Sequence, residues 1–194
     1  MYIILASGSP RRRELLGRIY PVFDVITADV DETLPSDTPP EKGVKILALR
    51  KGESVQSALG DDPAYADALI LSSDTLVELD GEPLGTPRDE AEAKEMLARL
   101  SGRTHYVRTG IAVRYHGRVK SGVATSAVHF RPLSDEEIEA YVATGEPMDK
   151  AGAYGIQGKG GRLVASYDGD FDTIMGLSLA LTTRLIDDIT TEEG

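Results

Sequence analysis

The sequence predicts an α/β fold, a mixed β-sheet flanked by helices. Helical and strand patterns alternate early in the chain, while its middle contains an antiparallel strand pair. Composition agrees: 41% apolar and 27% charged residues are ordinary for a folded soluble protein. At 194 residues, one domain spanning 1–194 is expected, burying roughly 70% of its unfolded surface, with a cleft between two lobes.

Tyr2 to Ala6 reads as a short buried strand. Ser9 is the N-cap and Pro10 the N1 residue of a helix running to about Tyr20. Val22 to Ala28 is a second strand. Pro39, Pro40 and Glu41 open a helix that carries Val44, Leu47, Ala48 and Val55 on one face. Ala68 to Leu79 is a strand, and Asp80-Gly81 is its turn. Thr86-Pro87-Arg88-Asp89 has the form of an N-cap, an N1 proline and an N3 acid, starting a helix that ends near Leu100. Thr104 to His116 and Arg118 to Phe130 alternate as two strands joined at Gly117. Ser134 and Glu137 form a capping box for a helix through Ala143. After the glycine-rich segment 145–161 come a strand, Arg162 to Tyr167, and a last helix, roughly Thr173 to Asp187. The tail, about 189–194, is expected to fray.

The absence of Cys excludes disulfides, thiolate catalysis and Cys-containing zinc sites. The first residues lack the basic lead and length of a signal peptide, and no apolar run approaches the ~20 residues of a membrane span, so a cytoplasmic location without membrane contact is expected. A net charge of −11 argues against binding a nucleic acid polymer. It permits an anionic small molecule, because a cleft is able to be locally basic.

Arg11, Arg12 and Arg13 form such a basic spot, directly after Ala6-Ser7-Gly8-Ser9-Pro10. A strand, a small-residue turn and a helix N-terminus together present backbone N–H groups and a positive dipole end, which suits phosphate oxygens. A plain capped helix with solvated arginines fits the same residues equally well. Lys51 lies on the apolar face of its helix, where it either snorkels off the core edge or reaches inward to an anion. Leu69-Ile70-Leu71-Ser72-Ser73-Asp74-Thr75 runs a hydrophobic strand into a carboxylate. Asp74 there binds a metal, activates a water, or simply bonds its own turn. Glu32 is a candidate second oxygen ligand. In the glycine-rich segment, Gln157 offers an amide able to read a base edge. His105, His116 and His129 show no metal-binding spacing, and a Ser-His-Asp triad is not expected.

The chain resembles the Maf family of nucleoside triphosphate pyrophosphatases. The matching pieces are Ala6-Ser7-Gly8-Ser9-Pro10-Arg11-Arg12, Ser73-Asp74-Thr75, and Ser101-Gly102-Arg103-Thr104-His105 leading to Thr109-Gly110. They continue with Phe130, Leu133, Glu137, Ile138 and Tyr141, then Gly145-Glu146-Pro147 through Asp149-Lys150-Ala151-Gly152 to Tyr154-Gly155-Ile156-Gln157-Gly158. Gly169-Asp170 and Gly176-Leu177 complete the set. The resemblance implies a Maf/Ham1-like elongated mixed sheet with a nucleotide cleft, a homodimer, and cleavage between the α and β phosphates with a divalent metal (Mg²⁺, Mn²⁺ or Co²⁺). By resemblance, Asp74 is the catalytic proton acceptor, and Ser7, Arg12, Lys51 and Glu32 form the phosphate and metal shell. Arg11, Thr75 and Gln157 match positions associated with substrate choice and resemble the branch preferring dTTP and UTP.

One position departs from the family pattern: Gly85-Thr86-Pro87 stands where the family commonly has Gly-Lys-Pro. Loss of a charged stabiliser from a dry site costs ~3–4 kcal/mol, which makes a nucleotide-binding regulator with weak or no turnover one alternative. Arg88 and Lys159 are candidate replacements. Another alternative is a haloacid-type phosphatase, with Asp29 opening Asp29-x-Asp31-x-Thr33 and Gly169-Asp170-Phe171-Asp172 as an acidic metal motif.

Overall fold

A computed structural model describes residues 1–27 and 29–191. Its sheet has the strand order β2-β1-β3-β5-β6-β7, with β4 paired to β3, and helices accompany it along the chain. The strands are β1 (Tyr2–Leu5), β2 (Asp24–Val25), β3 (Ala68–Leu79), β4 (Glu82–Leu84), β5 (Thr104–Tyr115), β6 (Arg118–Phe130) and β7 (Val164–Asp168). The helices are α1 (Pro10–Ile19), α2 (Pro40–Leu59), α3 (Glu90–Leu100), α4 (Asp135–Val142), α5 (Phe171–Met175) and α6 (Leu179–Thr191), with short 3-10 turns between them. The expected α/β class with a mixed sheet is what forms.

β1 lies parallel to β2 and β3, pairing Ile4 with Asp24 and with Ile70. β4 returns antiparallel to β3 through Asp80-Gly81, and β7 is antiparallel to β6. The turns Asp80-Gly81 (φ 54° and 83°) and His116-Gly117 (φ 46° and 74°) both have the two positive φ values that a tight hairpin demands.

Contacts divide the chain into two units, one of residues 1–74, 109–124 and 176–194, the other of 75–108 and 125–175. In the first, Ile4, Ala6, Val55 and Ile70 pack together. Gly110 permits the backbone of β5 to pass α2: a Cβ there would meet the Val44 carbonyl oxygen at 2.4 Å. In the second, Val77, Leu97, Leu100, Val128, Phe130 and Tyr141 belong to one core that α3 and α4 cover.

Several expectations need correction. The second strand covers only Asp24–Val25, and Ala28, at its expected end, lies outside the described residues. Asp89, not Thr86, caps α3, accepting the Glu92 N–H at 2.8 Å, while Thr86 and Pro87 remain in the preceding connection. The last helix is two helices, because Gly176 at φ 109° interrupts it. Its second part continues to Thr191, past the expected start of fraying, and residues 192–194 of the expected tail lie outside the described residues.

Candidate active site

β1 delivers the chain into Ser7-Gly8-Ser9, and α1 starts at Pro10. Ser9 caps the helix by accepting the Arg12 N–H at 3.5 Å, and the Ser7 Oγ accepts the Ser9 N–H at 3.3 Å. Arg12, on the first turn, donates through Nη1 to Ser7 Oγ (3.2 Å) and through Nε to the Gly176 carbonyl (2.9 Å). Ser73, buried on β3, donates to that same carbonyl at 2.9 Å. The helix break at Gly176 thus supplies a carbonyl that ties Arg12 and β3 to one point. Burial draws the Arg12 guanidinium below its ordinary pKa; Asp74 opposes the shift, Arg11 adds to it, and Glu32 opposes it. Arg12 therefore shares its electrostatic surroundings with both acids.

Leu47, Ala48 and Val55 bury one face of α2, and Lys51 emerges from that face. Its Nζ lies 2.6 Å from Asp74 Oδ1 and 2.8 Å from Glu32 Oε1. The Lys51 side chain is 15% exposed and that of Asp74 12%, so water screens this pair far less than a surface ion pair. Glu32 arrives on a loop held by Arg50, whose Nη1 donates to the carbonyls of Asp31 (2.8 Å) and Thr33 (2.9 Å). Asp31 tightens the same loop by accepting the Thr33 N–H at 2.8 Å. The first unit therefore brings Ser7, Arg12, Glu32, Lys51 and Asp74 together, with Arg11 adjacent on α1.

Two carboxylates already converge on one cation here, and oxygen donors suit a hard divalent ion. Among the described residues no group of three or more His, Asp or Glu forms a protein cage. Mg²⁺ is commonly held by one or two carboxylates and takes its other ligands from phosphates and water. Glu32 and Asp74 are the residues that fit.

Thr75 and Gln157 lie in the second unit, Thr75 half-buried on β3 and Gln157 exposed, just before the 3-10 turn Gly158–Leu163. Thr86 is exposed between β4 and α3. Arg88 is engaged by Glu92, whose Oε2 accepts from Arg88 Nε at 2.9 Å and from the Arg88 N–H at 2.6 Å.

Sequence reasoning missed Arg50, Ser73 and the Gly176 carbonyl as positioning groups. Ser73 and Gly176 did stand within the matching pieces Ser73-Asp74-Thr75 and Gly176-Leu177, whereas Arg50 carried no signal. For the haloacid alternative, Asp29 and Asp31 are exposed on a loop that begins after Val25 rather than at a strand end. A Thr-His-Asp string does occur, His129 meeting Thr104 Oγ1 at 2.7 Å and Asp168 Oδ2 at 2.8 Å. Its acid is 84% exposed, unlike the buried acid of a hydrolase triad.

A family model described as Maf-like protein matches residues 2–189. A protein of Moorella thermoacetica named dTTP/UTP pyrophosphatase is 49% identical over 186 residues, covering 95% of this chain and 93% of that one. A protein of the same name from Bacillus velezensis is 46% identical over 184 residues, covering 95% and 94%. Among solved structures, the Ham1 protein of Staphylococcus aureus superposes with a TM-score of 0.55 at 18% identity, covering 100% of both chains, which supports the fold alone.

Proposed function

The chain belongs to the Maf family, and on that premise we propose that it hydrolyses dTTP and UTP to the nucleoside monophosphate and pyrophosphate. The observation that carries this reading is the convergence of Glu32, Lys51 and Asp74, with Arg12 tied to Ser73, the neighbour of Asp74, through the shared Gly176 carbonyl. Relatives named dTTP/UTP pyrophosphatase at 46% and 49% identity support the substrate class.

Arg12, Lys51 and the amino end of α1 hold the triphosphate tail, the guanidinium by its planar fork and the ammonium as a point charge. Ser7 and the Gly176 carbonyl fix the guanidinium so that little reorganisation remains when an anion arrives. Glu32 and Asp74 would hold a divalent cation (Mg²⁺, Mn²⁺ or Co²⁺), which would supply Lewis acidity for attack at the α-phosphorus. Asp74 orients the attacking water and takes its proton. The water oxygen bonds to the α-phosphorus, the bond from that phosphorus to the bridging oxygen breaks, and pyrophosphate leaves with the bridging oxygen. Gln157 offers a carbonyl and an NH₂ to the N3–H and O4 of uracil or thymine, and Arg11 and Thr75 complete substrate choice.

The test is a panel of UTP, dTTP, CTP and GTP with Mg²⁺, Mn²⁺ or Co²⁺, scored for pyrophosphate. UTP and dTTP are expected to lead, with pyrophosphate as the released product; equal rates on all four nucleotides reject the base reading, and orthophosphate release rejects the reaction. Thr86 favours one second reading, a nucleotide binder of low turnover. Under it, calorimetry detects nucleotide binding without hydrolysis, and Thr86→Lys restores turnover. The proposal includes a homodimer, tested by light scattering, and a cytoplasmic location; no described helix is long and apolar enough to cross a membrane.

A further inference from the structure

Gln157 is exposed, and its long side chain has several rotatable bonds, so little in the side chain itself fixes where its amide sits. Rotating the amide exchanges donor and acceptor. The donor pattern alone is therefore a weak discriminator, and reach matters more. A purine carries its pairing edge farther from the sugar than a pyrimidine does, so an amide at a fixed place accepts one class and collides with the other. Fixing that place is a backbone problem.

The backbone around Gln157 is pinned on both sides. Tyr141, on α4, accepts the Gly155 N–H at its Oη (3.2 Å) and donates its own proton to Glu146 Oε1 (3.0 Å). Glu146 accepts the Gly160 N–H at Oε1 (3.0 Å) and the Lys159 N–H at Oε2 (3.1 Å). Two side chains thus hold residues 155, 159 and 160, with Gln157 between the anchor points. The glycines make this approach possible. A Cβ on Gly160 would meet the Tyr141 hydroxyl at 2.5 Å and the Gly155 carbonyl oxygen at 2.3 Å, and a Cβ on Gly158 would meet Glu146 Oε2 at 3.1 Å. Lys150 donates to the Glu146 carbonyl at 2.7 Å and lays its stem against Gly155. Burial raises the Glu146 pKa, but the Gly160 and Lys159 N–H groups, Tyr141 and Lys150 outweigh it, so the carboxyl sits below its usual range and accepts as an anion.

We infer that Glu146 and Tyr141 are positioning residues for nucleobase selection, holding the 155–160 turn so that the Gln157 amide meets a pyrimidine edge and obstructs a purine. The inference rests on the reading of Gln157 given above. A misplacement of about 1 Å at such a contact is enough to cost roughly a hundredfold.

The test compares kcat/KM for UTP and GTP in the wild type, Gln157→Ala, Glu146→Gln and Tyr141→Phe. Glu146→Gln is isosteric but turns an NH₂ toward one of two backbone N–H groups. Tyr141→Phe removes both links through the hydroxyl, and it keeps the proposal testable if the first variant misfolds. The expected result is a wild-type preference for UTP that falls at least about tenfold in all three variants, mainly through a higher KM for UTP. Hydrogen exchange at Lys159 and Gly160 should quicken in Glu146→Gln. If the wild type has no preference, or Gln157→Ala keeps it, the Gln157 reading fails. If Gln157→Ala loses the preference while Glu146→Gln and Tyr141→Phe keep the ratio within about threefold, the positioning role is overturned and the Gln157 reading stands.

Discussion

Asp74 sits at the end of a buried strand run and faces an ammonium 2.6 Å away, so its carboxylate is held in one orientation before any substrate arrives. General-base help is worth about 10²–10⁴ in rate, and Asp74→Asn is therefore expected to cut turnover by at least about a hundredfold. Nucleotide should still bind, because Arg12 and Lys51 remain; steady-state kinetics beside calorimetry reads both, and near-normal turnover removes Asp74 from the role. His105 gives a second residue-scale prediction. Burial pushes its pKa down from 6.5 to about 4, its Nε2 meeting the Tyr154 hydroxyl at 2.8 Å. The folded state favours the neutral ring, while the unfolded chain takes up a proton below pH 6.5. Stability is complete above that pH, falls toward pH 4 and levels off below it, a loss of about 3 kcal/mol for this group. In denaturant titrations across this range, His105→Gln should show a shallower acid slope than the parent; equal slopes would contradict the assignment. The sequence displayed Arg12, Lys51 and Asp74 as candidates one by one. It could not display the Lys51 bridge, since Glu32 and Asp74 lie 42 positions apart and only the fold makes them neighbours.

Elements with strong local grammar were legible. Ser9 with Pro10 started α1, the Ser134–Glu137 capping box started α4, and the two positive-φ turns bounded the hairpins. Local grammar failed where two signals competed. By pattern Thr86 is the cap of α3 and Asp89 its N3 acid, but the carboxylate, whose charge complements the helix dipole, holds the cap position. Asp89→Ala should therefore lower stability by about 1 kcal/mol in thermal or chemical melts, while Thr86→Ala should leave it nearly unchanged. The reverse order would restore Thr86 as the cap. Amphipathic spacing ran straight through Gly176, and the break there became visible only from its φ of 109°.

At the scale of the whole chain, the mixed sheet followed from the order of strand and helix patterns, because parallel pairing near the start and hairpins in the middle leave different sequence signatures. Where the chain divides into its two units was not legible, since β3 runs through the boundary between Asp74 and Thr75 as one unbroken strand. Asp74 thus lies in one unit and Gln157 in the other, and under the proposed roles chemistry and selectivity are expected to separate by mutation. The reaction at the α-phosphorus is the claim on which the rest depends. Hydrolysis of UTP in ¹⁸O-water with Mg²⁺, followed by ³¹P NMR, tests it most directly. One ¹⁸O atom is expected in UMP and none in pyrophosphate; label in pyrophosphate, or UDP and orthophosphate as products, would contradict it.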